Sequence, residues 1–276
     1  MFKKIALAIA SLALAIPSVS LAEGKLKLIK NGEIRFLTNP IYPPMEFVNT
    51  TSGVYEGFDI DLGNAIAKDL KLNAVWTNSS FEQLQSSLQT GRGDVILSGI
   101  SDNVKRQQSM DFVDYITSGP IFFTLVSNAG KYKNNTDLCG KTVAGSRSAS
   151  FPGDVAKWSA TNCVGKGLPA IIFSGTADSN AARMGMKQGR YDAVVQGIET
   201  IAYQMRLEPN TFSLVGKPIL SNDVFGIGIK KSNPQLRAAI AKSLNNLIKN
   251  GSYEQLLKKW GLVHNAVPHA VINGVK

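Results

Sequence analysis

The ten residues "GRGDVILSGI", Gly91–Ile100, return in the same pattern as "GRYDAVVQGI", Gly189–Ile198, 98 positions on (189 − 91). Gly, Arg, Asp, Gly and Ile hold the same places, and the slots between are apolar in the same rhythm. Each copy follows a segment with helical spacing. "SSFEQLQSSLQT" puts Phe81, Leu84 and Leu88 on one face behind a serine cap, and "TADSNAARMGMKQ" puts Ala177, Ala181 and Met184 on one face behind polar caps. A glycine after each, Gly91 or Gly189, predicts the end of a helix. The runs "DVILS" and "DAVVQ" then predict short buried strands, each leading to a turn at a second glycine, Gly99 or Gly197. Buried strands between helices imply parallel pairing.

Each copy is also third in a series. "EIRFLT" (strand), "GFDIDLGNAIAKDL" (helix) and "NAVWT" (strand) precede the first, and "KTVAGS", "FPGDVAKWSA" and "AIIFSG" precede the second in the same order. Two β-α-β-α-β units in tandem predict an α/β protein of two lobes, each a mainly parallel sheet flanked by helices, with a cleft between them. Ligands of such sheets bind beyond the carboxyl ends of the strands. Those ends are the loops at Asn39–Tyr42 and Ser98–Arg106 in one lobe, and at Ser146–Phe151 and Gln196–Glu199 in the other. Downstream, "NDVFGIGIKKS" predicts a late strand. Two helices follow, joined at Asn250-Gly251-Ser252, the first burying Leu236, Ile240, Leu244 and Leu247. The pattern alone does not assign them to a lobe.

The start of the chain reads as a leader rather than as fold. Lys3 and Lys4 precede an apolar run from Ile5 to Ile16, and Ser20-Leu21-Ala22 ends it, so a secretory signal cleaved after Ala22 is expected. The run is short for a bilayer of about 30 Å, and Pro17 follows it. Removing Lys3 and Lys4 lowers the formal charge of +10 to +8 (10 − 2). Lys and Arg are scattered, with no run longer than two, which with export argues against nucleic acid. Two cysteines, Cys139 and Cys163, in an exported chain predict one disulfide, against the alternative of two buried thiols. The two histidines, His264 and His269, lie near the C-terminus without a ligand cluster, so no metal and no cofactor are expected. "GKGLPA", Gly165–Ala170, carries Pro169 and no preceding strand, so it reads as a turn and not as a dinucleotide site.

The stretches "GFDIDLGNAIAKDL", "LQSSLQTGRGDVILSGISDNVKRQQSMDFVDY", "LCGKTVAG", "GRYDAVVQGIE" and "NGSYEQLLKKWG" resemble the polar amino acid-binding solute-binding proteins of ABC importers (family 3), the family of the histidine- and glutamine-binding proteins. The resemblance runs from about Glu33 to Gly261. It implies a type II periplasmic binding protein fold, with residues 1–22 removed, lobe 1 from 23–118 and 220–276, and lobe 2 from 119–219. The crossing segments would be "TSGPIFF" and "KPILSNDV". It implies a periplasmic, non-catalytic monomer that captures a small polar ligand by lobe closure and delivers it to an ABC-type inner-membrane permease. The fold also hosts cyclohexadienyl dehydratases, so an exported lyase is the alternative; no Gly-x-Ser-x-Gly or His-Glu-x-x-His motif is present.

The resemblance also implies a site. Arg106, with Ser98, Gly99 and Ser101, matches the positions that grip a ligand carboxylate, for which a guanidinium fork is suited. Tyr42 and Phe81 match walls of the ligand chamber. Ser148 and Ser150 occupy the family's Gly-[ST]-[ST] turn, read here as "SAS". Asn39 stands where relatives for cationic amino acids carry Asp, and Arg147 adds positive charge near the mouth; both favour a neutral or acidic ligand. Gly197 stands where many members carry the Asp that holds the α-ammonium. Either Glu199, two residues on, takes over, or the ligand has no α-ammonium.

Overall fold

The two copies fold alike because the same residues make the same bonds. In the computed structural model, which describes residues 26–220 and 223–276, Gly91 and Gly189 both take left-handed backbone angles, φ 80° and 75°. The amides of Arg92 and Gly91 reach Ser87 O and Leu88 O, and those of Arg190 and Gly189 reach Gly185 O and Met186 O. These are the two bonds of a Schellman stop, which satisfies carbonyls left over at a helix end. The aspartate of each copy then exchanges two bonds with the first strand of its unit. Asp94 N donates to Arg35 O while Asp94 Oδ2 accepts Arg35 N at 2.8 Å. Asp192 N donates to Thr142 O while Asp192 Oδ2 accepts Thr142 N at 2.9 Å. Glycine, arginine position and aspartate are thus a device for stopping a helix and setting the next strand beside the first.

The first unit runs β1 (Glu33–Thr38), a small antiparallel sheet of β2 (Ile41–Tyr42), β3 (Glu46–Val48) and β4 (Tyr55–Glu56), then α1 (Phe58–Asp69), β5 (Asn73–Asn78), α2 (Leu84–Gln89) and β6 (Val95–Ile96). A one-turn helix, α3 (Val104–Gln107), leads to β7 (Met110–Ser118). The second unit comprises β8 (Pro120–Leu125), β9 (Thr142–Ser146), α4 (Phe151–Asn162), β10 (Ile172–Thr176), α5 (Ser179–Lys187), β11 (Ala193–Gly197), α6 (Ile198–Leu207) and β12 (Phe212–Val215). The chain then returns through β13 (Asp223–Lys230), α7 (Pro234–Lys249), α8 (Ser252–Trp260) and β14 (Val271–Ile272).

Two sheets result, ordered β14-β7-β13-β6-β1-β5 and β10-β9-β11-β8-β12. Both are mixed, which corrects the expectation of mainly parallel sheets. The three strands of each β-α-β-α-β unit are parallel as expected. The strands that carry the chain between the units and back, β7, β8, β12 and β13, pair antiparallel, a consequence of long-range crossing that periodicity does not encode. The late strand and last two helices join the first sheet, where Leu236, Ile240, Leu244 and Leu247 pack with Ile34, Phe36 and Phe58. Successive strand residues point to opposite faces, so Leu37 meets Leu84 and Leu88 on the other side. The second sheet is covered likewise, by Val155 on one face and Ala182 and Met186 on the other.

Two expectations need adjustment. In α5 the buried face is Ser179, Ala182, Arg183, Gly185 and Met186, and Met184 is 53% exposed. The alanines and methionines are too evenly spread for spacing to pick the face. Ser80 precedes its helix without a side-chain cap bond, whereas Asp178 Oδ1 accepts Ala181 N at 2.8 Å. The leader, 1–22, lies outside the described residues, as do Ser221 and Asn222 of one crossing segment. Cys139 and Cys163 are joined as a disulfide, tying the start of β9 to the end of α4. Among the described residues no helix is long and apolar enough to cross a membrane.

Candidate functional site

The carboxyl ends of both sheets meet across a cavity. The first lobe lines it with Asn39, Ile41, Tyr42, Glu46, Phe81, Gly99, Ser101, Arg106 and Phe225. The second contributes Ser146, Ala149, Ser150, Phe151, Asp178 and Ser179. Hydrogen bonds cross between the lobes beside it. Arg106 Nη2 donates to Ser148 O at 3.1 Å, Gly197 N to Tyr42 Oη at 3.3 Å and Asn180 Nδ2 to Ile41 O at 3.5 Å. The lobes therefore stand closed on each other.

Arg106 owes its place to α3. Asn103 Oδ1 accepts Arg106 N at 2.9 Å and starts the turn, and Arg106 Nη1 donates to Ser101 O at 2.9 Å. The guanidinium lies 5.8 Å from the centre of the Phe81 ring, where the ring's negative face attracts a cation. Burial lowers its pKa to about 10, and the charges of Asp223, Asp154 and Asp102 oppose that fall; it stays charged at neutral pH. Ser101 bridges to Phe225 across the chain's return strand. Asp223, which is bonded to the Ser101 side chain, is pushed up to about 7, first by burial and then by the charge of Asp154.

The acidic side of the site escaped the sequence reading. Glu46 lines the cavity, and its Oε1 accepts the Ser98 hydroxyl at 2.8 Å while Oε2 is buried with no partner. Burial, then the charge of Asp59, holds its pKa well above the usual carboxylate range. Asp59, pushed up to about 7 by burial, accepts Gly99 N and Tyr115 Oη. Asp178, not singled out in the sequence, lines the cavity too. Its position was a usable signal, because a residue that caps a helix after a parallel strand sits at the strand's carboxyl end. Phe225 carried no local signal, since it arrives on a strand more than a hundred residues downstream of its partner Ser101.

Several predicted site residues stand behind the wall rather than on it. Ser98 is buried, accepting Asn39 N at 2.9 Å while donating to Glu46; it fixes the loop. Ser148 meets Arg106 through its carbonyl, whereas Ser150 lines the cavity. Arg147 is exposed and turns its Nε to Thr176 O. Gly197 and Glu199 are absent from the lining. A Cβ built on Gly197 would collide with the Glu199 carboxyl group. Glu199 thus occupies the space that a side chain at 197 would need. Its Oε2 accepts the Ser118 hydroxyl at 2.9 Å, and its Oε1 is buried without a partner. Burial pushes it up to about 8, and the Asp223 and Asp59 charges add to the rise. No group of three or more His, Cys, Asp or Glu side chains is arranged to hold a metal among the described residues.

Comparison with known proteins agrees with this geometry. The profile of the bacterial extracellular solute-binding proteins, family 3, matches residues 34–263. The histidine-binding periplasmic protein of Salmonella typhimurium is 27% identical over 94% of this chain and 96% of its own. An ancestral arginine-binding protein bound to arginine superposes with a TM-score of 0.74 and 28% identity, over 83% of this chain and 98% of that one. The ancestral amino acid-binding protein AncCDT-1, a precursor of cyclohexadienyl dehydratase, superposes with a TM-score of 0.72 and 28% identity, over 83% and 95%.

Proposed function

The chain belongs to the family 3 bacterial extracellular solute-binding proteins, and from that premise we propose that it captures a polar amino acid and presents it to an ABC-type permease. The single observation that carries this reading is the chamber closed between the lobes, with a guanidinium, hydroxyls and aromatic rings on its wall. Arg106 and Ser101 take the ligand carboxylate, the fork supplying charge-assisted bonds in a site cleared of water. Tyr42, Phe81, Phe151 and Phe225 wall the side chain. Glu46 and Asp178 are the carboxyl groups on the lining, so an α-ammonium faces one of them rather than Glu199. Two carboxyl groups on the lining supply hydrogen-bond acceptors opposite the guanidinium, which reverses the inclination toward an acidic solute and favours a ligand that carries N–H donors.

The lobes divide the chain as 23–118 with 220–276 and as 119–219, and binding is their rotation about the two crossing segments. The protein is exported by a leader cleaved after Ala22, works in the periplasm as a monomer and catalyses nothing. A thermal-shift screen of the twenty amino acids tests the reading, because a ligand that binds only the folded form raises its melting temperature. At least one polar amino acid should raise it by several degrees; no shift with any of them would overturn the proposal.

One observation favours a second reading. One structural relative is a precursor of a dehydratase, and Glu199, although it stands behind the lining, is a carboxyl group that burial pushes up to about 8, the direction a proton donor needs. Loss of prephenate absorbance on adding the protein, abolished in Glu199→Gln, would replace binding by lyase chemistry.

A further inference from the structure

The family match ends at residue 263, yet the residues after it are built into the wall that carries Arg106. β14 adds to the free edge of β7, Val271 opposite Asp114 and Ile272 opposite Val113. Covering that edge needs no more than this pairing. The chain then leaves the sheet and runs toward α3. Asn273 Oδ1 accepts Phe112 N at 2.8 Å, and its Nδ2 donates to Asp111 Oδ1 at 3.0 Å. Gly274 N donates to Asp114 Oδ2 at 3.1 Å, and Val275 N to Asp102 Oδ2 at 3.3 Å. Gln107 Nε2 closes the loop, donating to Val275 O at 2.9 Å and to Asp102 Oδ1 at 2.7 Å.

These bonds matter because of what they hold. Asp102 and Asp114 are only 2% and 3% exposed, and both are raised by burial, Asp114 to about 7 with the charge of Asp102 as the second cause. Two neighbouring buried carboxyls repel unless donors reach them, and the strap brings two backbone amides. Gly274 permits the approach, since a Cβ there would meet Asp114 Oδ2. Asp102 directly precedes the cap of α3, and Gln107 is its last residue. Arg106 sits between them and is further tied to Ser101 O.

We propose that the C-terminal strap, Val271–Lys276, is a positioning element for the ligand-anchoring turn, clamping Asp102 and Gln107 so that the Arg106 guanidinium meets the solute already oriented. A fork held in place loses less freedom on binding than one that must be ordered by the ligand. The inference rests on the reading of Arg106 as the carboxylate anchor, and its test separates the two.

Hydrogen exchange is compared between the full mature chain and a chain ending at Ala270, both without ligand. The amides of residues 104–109 should exchange at least 10-fold faster in the shortened chain, while those of α1 and α7 stay unchanged. Calorimetry with L-arginine should then show affinity about 10-fold weaker after truncation, and little further loss when truncation is made on Arg106→Lys. Where the shortened chain does not fold, Gly274→Val in the full chain carries the same expectations. Unchanged exchange over 104–109, or a truncation penalty as large in Arg106→Lys as in the parent, overturns the positioning role. If L-arginine does not bind the full chain, the solute reading is what suffers, and the exchange comparison alone decides the strap.

Discussion

The two copies of the repeated stretch agree up to their second glycine and part there. Gly99 is left-handed, φ 49°, and its amide is held by the Asp59 carboxyl group at 2.8 Å. The turn it makes carries Ser101 and Arg106 into the cavity. Gly197 has ordinary angles, φ −62°, and its backbone leads directly into α6, while Glu199 fills the space beside it. The shared residues stop helices and align strands. The residues after them make one lobe an anchor and the other a cover. Identity between the copies therefore reports folding, and divergence between them reports function.

Four measurements sharpen or break that contrast. The largest effect belongs to Arg106, which the second lobe does not duplicate. Arg106→Ala should weaken binding of the amino acid that best stabilises the protein by about 3 kcal/mol or more, because a desolvated carboxylate loses its charged partner. Arg147→Ala should change it little. Next come the aspartates that the copies share. Asp94 accepts two backbone amides, of Ile29 and Arg35, and Asp192 accepts the Thr142 amide and the Tyr132 hydroxyl. Asp94→Ala and Asp192→Ala should each cost about 3 kcal/mol in urea unfolding, since each strands buried donors. A cost in one lobe only would show that the repeat is not a common folding device.

Gly197→Ala should destabilise by about 2 kcal/mol, the usual scale for a methyl group forced into a filled site. Glu199→Ala should remove most of that penalty in the double variant; additive costs would show that the two positions do not compete for space. The smallest effect is one of pH. Glu199 titrates near 8 when folded and about 4.3 when unfolded, so between those values the folded state holds the extra proton. Stability contributed by this group is then present at low pH and falls as pH rises through 8. Glu199→Gln should reduce the loss of stability between pH 6 and 8 by on the order of 1–2 kcal/mol, read from chemical denaturation at each pH. An equal slope in both proteins would place the titration elsewhere, Asp59 and Asp223 being the neighbours near 7.

Local signals made the two β-α-β-α-β units legible, because a glycine stop and a following aspartate act within a few residues of each other. The strand ends pointed to the cleft, and Asn39, Tyr42, Phe81, Gly99, Ser101, Arg106 and Ser150 are among the residues that line the cavity. The antiparallel strands did not show, because their pairing depends on where the chain crosses between lobes. Nor did the side chains that act through distant partners. Phe225 meets Ser101 only after the return crossing, Glu46 becomes an unusual acid only once buried beside Asp59, and the strap joins Asp102 only through the sheet edge. Glu199 was noticed for its charge, yet packing turned it away from the lining toward Ser118.

The central claim is that a solute is held between two lobes that close on it, and X-ray scattering of the mature protein tests this most directly. With the best-stabilising amino acid at saturation, the curve should match the closed arrangement, in which Arg106 reaches Ser148 and Gly197 reaches Tyr42. Without it, the radius of gyration should be larger. The same radius in both samples, with binding independently confirmed in the same tube, would contradict capture by closure.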